Sequence, residues 1–330
     1  MTIGYARARA NIALAKYWGK SDIPLNLPAV PSISLTLEGL ITETSVSFAE
    51  RNGHADQVRL DGKKAGRKEA ERVTKVLDRL RKEAGAEHLT AWVDSTNHFP
   101  TAAGLASSAS GFAALVGAAS AALELKYSDR KLSAHARQAS ASAARSIFGG
   151  FSELPAGKPG NAKLAARPLH DADYWDVRLV VAVTAKGPKK VGSTEGMERS
   201  RETSPLYDAW VEKSVGLART IKRALKNRDL DALGAAMEQS TYSFHACAMS
   251  ASPSILYWQP GTIAALRTVD KLRDRGVSAW ATMDAGPHVK VLCHASDARK
   301  VRTAMKKTEG VLDTMIAKPG GPIEIETRSS

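Results

Sequence analysis

Cysteine is nearly absent from this chain of 330 residues. Cys247 and Cys293 cannot build a disulfide framework and lack the spacing of a zinc site, so both are expected as free buried thiols in a reducing cytoplasm. No apolar run reaches the roughly 18 residues of a membrane-spanning helix. The first residues, Met1-Thr2-Ile3-Gly4-Tyr5-Ala6-Arg7, have no apolar signal core. Acidic side chains are in deficit: 34 Asp and Glu face 47 Lys and Arg, a net charge of +13. Aromatics are scarce at 6%. None interleaves with the basic clusters at Lys63-Lys64, Arg79 to Lys82, Lys186 to Lys190 or Arg299 to Lys307, which argues against a surface for single-stranded nucleic acid. A basic nucleic-acid-binding module is still the competing reading from another class, and it predicts strongly salt-dependent binding. An enzyme that handles several phosphates fits the same charge better. The length suits one large or two medium domains.

A P-loop is also missing, because no Gly-Lys-Ser/Thr follows a glycine at the required spacing. In its place stands Asn97-His98-Phe99-Pro100-Thr101-Ala102-Ala103-Gly104-Leu105-Ala106-Ser107-Ser108-Ala109-Ser110-Gly111. Pro100 and Gly104 mark a loop. From Ser107 onward Phe112, Leu115, Val116, Ala119 and Leu123 recur at helical spacing. A loop that feeds a helix N-terminus offers free N–H groups and a positive dipole end to an anion, most plausibly phosphate. Ser107 and Ser108 add hydroxyls, and Ser107 is the candidate magnesium contact. A tight structural turn explains the same pattern about as well.

Elsewhere the chain alternates strands and helices. Residues 7–20 read as an alternating strand that ends in Tyr17-Trp18-Gly19, with Lys16 and Lys20 placed to converge on one anion. Ser32 and Ser34 share one face of a strand and Ile33 and Leu35 the other; a second strand is expected from Thr42 to Phe48. Val73, Val76, Leu77 and Leu80 predict an amphipathic helix over 69–82. Residues 131–148 predict one helix. Ser142 and Arg145 share a face of it, whereas Ser140 fits only with a local irregularity. The apolar stretch from Val177 to Ala185 predicts a buried strand, with the domain boundary at its end: 1–185 and 186–330. Later come helices near 205–226, 229–250, 262–275 and 297–307, and strands near 277–283, 289–293, 311–316 and 322–327. The last few residues are expected to be disordered. Asp284 lies where a strand meets a Gly-Pro turn, a rigid edge for a carboxylate.

Four separated stretches resemble a known family: Asn11-Ile12-Ala13-Leu14-Ala15-Lys16-Tyr17-Trp18-Gly19-Lys20; Phe99 to Ser108; Ser140-Ala141-Ser142-Ala143-Ala144-Arg145-Ser146-Ile147-Phe148-Gly149-Gly150-Phe151; and Met283-Asp284-Ala285-Gly286-Pro287. They are similar to the GHMP kinase superfamily and, within it, to the diphosphomevalonate decarboxylases. The resemblance implies an α+β, GHMP kinase-like two-domain fold. Its N-terminal domain would resemble ribosomal protein S5 domain 2 and its C-terminal domain a ferredoxin. It further implies ATP-dependent decarboxylation of mevalonate 5-diphosphate to isopentenyl diphosphate, with magnesium, in a cytoplasmic homodimer that engages neither nucleic acid nor membrane. A decarboxylase of mevalonate 5-phosphate or a related kinase is the alternative.

Residue by residue, the resemblance assigns Asp284, Lys16 and Arg145 to catalysis. It places Tyr17, Lys20, Arg72, Ser140, Ser142 and Ser193 on the substrate, and Asn97, Ala103, Gly104, Leu105, Ala106, Ser107 and Ser108 on ATP. The chain departs from the family at Val30-Pro31, where Asn-Ser is usual, and at His288, where Asn is common. His245, in a Ser-Phe-His run similar to the family's, reads as structural.

Overall fold

The chain is described here from a computed structural model, which covers residues 2–50, 54–99, 107–187 and 189–329. Strand β1 (Thr2–Ala15), the hairpin β2 (Lys20–Asp22) and β3 (Leu27–Pro28), and the long β4 (Ser32–Glu50) come first. After them follow β5 (Gln57–Leu60), β6 (Lys63–Lys64), helix α1 (Arg67–Ala84), β7 (Leu89–Asn97) and helix α2 (Ser107–Ala122). The two strands expected between Ser32 and Phe48 are therefore one. Its pairing with β1 shifts register between Arg9 and Asn11. Gly39 sits at φ +87° there, a conformation that costs glycine little, so the strand can bulge without ending.

The helix predicted over 131–148 is also revised. Helix α3 (Asp129–Ala139) stops at Ser140, which is extended at φ −157°, and a 3₁₀ segment continues over Ala141–Ile147. Side chains satisfy the carbonyls released from the α-ladder: Ser133 Oγ donates to Ala144 O at 2.8 Å, and Asn11 Nδ2 to Ser142 O at 3.0 Å. The break is the irregularity that Ser140 required.

Strands β8 (Phe151–Leu154) and β9 (Arg167–His170) extend the first sheet from β4. Next in the chain are β10 (Val177–Val183) and helices α4 (Ser193–Thr203), α5 (Tyr207–Asn227), α6 (Leu230–Met249) and α7 (Pro260–Asp274). Strands β11 (Ala279–Thr282) and β12 (Val289–His294), helix α8 (Ala298–Lys306), β13 (Asp313–Ala317) and β14 (Glu324–Ser329) complete it.

The first sheet runs β14-β1-β4-β7-β5-β6. One face packs on α1, α2 and the 3₁₀ segment through Val46, Val93, Leu77, Val116 and Ile147. The second sheet runs β11-β12-β10-β13; with α7 and α8 it forms the βαββαβ arrangement of ferredoxin-like units. Its faces are buried differently. Val180, Val291, Leu272 and Val301 pack with α7 and α8, whereas Leu179, Val181, Ile221 and Leu233 meet Ile12, Leu14 and Leu35 of the first sheet. Among the described residues, β10 pairs with β12 and β13. The end of the chain is not frayed before Ser329: β14 returns to pair with β1 from Thr2↔Ser329 to Arg7↔Glu324. Among the described residues, no helix is long and apolar enough to cross a membrane.

Candidate active site

Lys16 follows the end of β1, and Asp284 follows β11. Where the two sheets meet, Lys16 Nζ donates to Asp284 Oδ1 at 2.8 Å and Lys290 Nζ to Oδ2 at 3.2 Å. The lysine side chains are 2% and 1% exposed and the carboxylate 25%, so the acid forms the solvent-facing part of a buried triad. Burial opposes ionisation of Asp284, but the two ammoniums outweigh it and hold the carboxyl far below its usual range. Burial pulls Lys16 down to about 8, against the stabilising charge of Asp284.

Arg145, on the 3₁₀ segment, is a second buried cation. Its Nε donates to Ser34 Oγ at 3.0 Å and Asn11 Oδ1 at 3.3 Å, and Nη1 to Ser32 Oγ at 2.6 Å. Among the described residues, no carboxylate is within salt-bridge distance of it. Burial lowers it to about 10, with Asp284 and Tyr17 opposing. Tyr17 Oη is buried with no partner among the described residues. Burial pushes that phenol up, while Arg145 draws it down. Gly19 has φ +108°, and a Cβ there would lie 2.2 Å from Tyr207 Oη, so only glycine makes the turn that carries Lys20 back. Lys20 is 8% exposed. Burial lowers its pKa, and the nearby Arg72 lowers it further. Arg72 lays its guanidinium 4.7 Å over the Phe112 ring. Ser140 Oγ and Ser142 Oγ are 3.1 Å apart. An uncompensated guanidinium, an unpartnered phenol, paired hydroxyls and a half-screened ammonium together suit an anion with several oxygens.

The predicted nucleotide loop is only partly covered: Ala103, Gly104, Leu105 and Ala106 lie outside the described residues. Ser107 and Ser108 open α2, half-buried and exposed respectively. Asn97, at the end of β7, accepts from Thr42 Oγ1 at 2.7 Å and donates through Nδ2 to Asp61 Oδ1 at 3.3 Å. Ser193 is the first residue of α4. Lys189 Nζ donates to its Oγ at 2.7 Å and to Ala285 O at 2.8 Å, which ties the basic loop to the Asp284 turn. Among the described residues, no three His, Cys, Asp or Glu side chains form a metal-holding group. Ser107 and Ser108, at the start of α2, are hydroxyl oxygens of the hard kind that magnesium takes.

Lys290, Asn11, Ser32, Ser34 and Lys189 were given no role in the reading of the sequence. A lysine inside the apolar strand Val289-Lys290-Val291-Leu292 was the available signal for the first, since an ammonium there must have a partner. Val30, one of the family departures, is a core residue beside Trp18 and Met197, and Ser32 still reaches Arg145.

Comparison with known proteins agrees along the whole chain. The family model for the diphosphomevalonate decarboxylase-like N-terminal domain matches residues 8–165, and that for the mevalonate 5-diphosphate decarboxylase C-terminal domain matches 179–319. Diphosphomevalonate decarboxylase of Aspergillus fumigatus is 36% identical over 323 residues, 92% of this chain and 80% of the relative. The crystal structure of mevalonate diphosphate decarboxylase from Staphylococcus aureus has a TM-score of 0.93 at 36% identity, covering 99% of this chain and 98% of that one. MDDEF, solved in complex with MVAPP, AMPPCP and magnesium, gives 0.91 at 36% identity, with 99% of each chain covered.

Proposed function

We propose how this chain, which belongs to the diphosphomevalonate decarboxylase family, uses its site. The enzyme decarboxylates mevalonate 5-diphosphate in an ATP-dependent reaction, giving isopentenyl diphosphate, ADP, phosphate and carbon dioxide. The observation that carries the assignment of roles is the carboxylate of Asp284 held between Lys16 and Lys290.

A tertiary hydroxyl is a poor leaving group, so phosphorylation must precede its departure. Asp284 accepts the hydrogen bond of that hydroxyl. It takes the proton as the incoming phosphoryl draws the Lys16 ammonium towards itself; until then the paired carboxylate is a weak base. Lys16 thereby neutralises charge on the transferred group. Arg145 holds the substrate carboxylate by its planar fork, in line with the bond that breaks. When phosphate leaves, positive charge grows on the tertiary carbon, and the electrons of the carboxylate's C–C bond form the alkene as carbon dioxide departs. Tyr17, Lys20, Arg72, Ser140 and Ser142 anchor the diphosphate, and Ser193 approaches it from α4. Binding energy at that remote end positions the reacting end. Asn97 and residues 103–108 bind ATP. Magnesium, when bound with Ser107 as its protein contact, supplies further neutralisation of the nucleotide phosphates. The two buried free thiols, Cys247 and Cys293, support a reducing cytoplasmic setting, and the family resemblance supports a homodimer.

A coupled ADP-release assay with carbon dioxide trapping tests this, run with mevalonate 5-diphosphate beside mevalonate 5-phosphate. Equal release of both products from the diphosphate is expected. ADP without carbon dioxide, or a preference for the monophosphate, would overturn the reading.

A further inference from the structure

The two ammoniums on Asp284 are held differently. Lys290 belongs to β12, the strand between β11 and β10. Register sets it opposite Thr282, two residues before Asp284, on one side and opposite Val181 on the other. Alternation along β12 turns Lys290 and Leu292 towards the first sheet, while Val289, Val291 and Cys293 pack with α7 and α8. In this apolar layer the Lys290 side chain is 1% exposed, and its Nζ donates to Asp284 Oδ2 at 3.2 Å. Thr282 Oγ1 donates to Ala13 O at 3.3 Å and lies 3.1 Å from Thr241 Oγ1 of α6. The strand pair that carries Lys290 and Asp284 is thus fixed to β1 and to α6. Lys16 follows the end of β1 in a stretch without regular structure. It holds the other oxygen, Oδ1, at 2.8 Å.

Two ammoniums on one carboxylate leave a surplus positive charge. The cations repel each other, so each pair is weaker than it would be alone. We propose that Lys290 is a positioning residue for phosphoryl transfer: it keeps Oδ2 and shares the carboxylate's charge, so that Lys16 can leave Oδ1 for the incoming phosphoryl group while Asp284 stays in place. The inference rests on the roles given to Lys16 and Asp284 above. Once Lys16 has turned, the O–H bond of the substrate hydroxyl breaks as Oδ1–H forms. The substrate oxygen takes the phosphoryl group, and ADP departs with the electrons of the broken P–O bond. With Lys16 as its sole cation, the carboxylate would keep the lysine or follow it. The charges around Lys16 fit a pair made to part. Burial, with Lys290 and Arg145 adding to it, pulls the ammonium down to about 8 against the attraction of Asp284. Lys189, whose Nζ donates to Ala285 O, flanks the same turn. Burial holds the imidazoles of His245 and His288 at about 3 and about 4, so neither adds a charge at neutral pH.

The test compares the wild type with Lys290→Met and Lys290→Gln. Both variants are uncharged at this position, and glutamine still offers a donor. In each, the alkaline limit of kcat/KM should lie above the wild-type value of about 8, because a like charge beside Lys16 is gone. At pH 7 kcat should fall by about tenfold for each pH unit by which that limit rises, with KM for both substrates nearly unchanged. A merely structural lysine would lower the melting temperature and the active fraction without moving the limit upwards. Wild-type kcat in both variants would overturn the proposal. So would a loss of kcat with the limit unchanged or moved to lower pH. If the Met variant does not fold, the Gln variant decides alone. Wild-type protein inactive on mevalonate 5-diphosphate would sink the functional reading instead. The Lys16 titration, followed by NMR on lysine-labelled protein, would then still decide whether Lys290 weakens the pair.

Discussion

Lys16 and Asp284 are 268 positions apart in the chain and 2.8 Å apart in space, as donor and acceptor of one buried ion pair. The pair joins the end of a strand in the first sheet to a turn of the second, and Lys290 shares the same carboxylate through its other oxygen.

Asp284→Asn keeps the shape of the side chain and removes both the proposed base and the counter-charge of two ammoniums. Turnover should fall by about 10²- to 10⁴-fold, the usual worth of a positioned general base, with ATP binding retained. Steady-state kinetics together with nucleotide titration checks this. Wild-type turnover would remove Asp284 from the mechanism.

With the role proposed for it, Lys16 should give the enzyme an alkaline limit. Its ammonium is lowered to about 8, so the charged form predominates below that pH and is lost above it. The kcat/KM profile of the free enzyme should therefore fall as pH rises through about 8. Stability has the opposite sign for this group. Between about 8 and 10.5 the unfolded chain holds a proton that the native lysine has released, so this contribution grows with pH. A pH–rate profile beside pH-dependent melting separates the two effects.

Arg145 is buried without a neutralising carboxylate among the described residues, so it is expected to serve ligand binding more than folding. In Arg145→Met, activity should be lost while the melting temperature of the free protein stays within a few degrees, because removing an uncompensated buried charge offsets the lost hydroxyl contacts. Mevalonate 5-diphosphate should raise the melting temperature of the wild type and leave that of the variant unmoved. A large destabilisation of the free variant would make the arginine structural.

His288 replaces the asparagine common in the family, and its Nδ1 accepts the Thr184 backbone N–H at 3.1 Å. Burial, with Lys290 adding to it, pushes the ring down to about 4 from 6.5. Below pH 6.5 the unfolded chain gains a proton that the native ring refuses. Stability from this group is thus present above about 6.5 and is lost as pH falls towards 4, at about 1.4 kcal/mol per pH unit per proton at most. His288→Asn should flatten the fall in melting temperature between pH 7 and 5. An unchanged slope would show that the imidazole is not excluded from titration.

Arg137 is wholly buried and donates Nε to Leu164 O and Nη2 to Ala162 O, each at 2.8 Å, and Nη1 to Leu25 O. It staples the hairpin beside Lys20 to the segment before β9. Arg137→Lys cannot serve three carbonyls spread in a plane. Each acceptor left unpaired costs about 1–3 kcal/mol, so the melting temperature should drop well below wild type. An unchanged melting temperature would refute the stapling role.

Most of the elements were legible in the sequence, and so was the family that four of its stretches resemble, since each rests on local pattern. Apolar periodicity marked α1, α2, α7 and α8, and the run from Asn11 to Lys20 carried its resemblance in contiguous residues. Three features were not legible. The break at Ser140 depends on Asn11 and Ser133 taking carbonyls that a continuous helix would have kept. The single strand β4 depends on β1 pairing on both sides of a bulge. The return of β14 to the first sheet is a long-range pairing with no local signature.

By itself, then, the sequence determined the chemical types present: a carboxylate at a turn, lysines beside a strand end, an arginine among small residues, and the family these stretches resemble. Tertiary structure alone decided which charges meet. It placed Lys290 on the second oxygen of Asp284 and left Arg145 with only hydroxyl and amide partners among the described residues. Ion pairing and desolvation depend on distances between segments far apart in the chain, 268 residues for Lys16 and Asp284 and more than 100 for Arg145 and its hydroxyl partners, and those distances exist only once both sheets have packed on a common core.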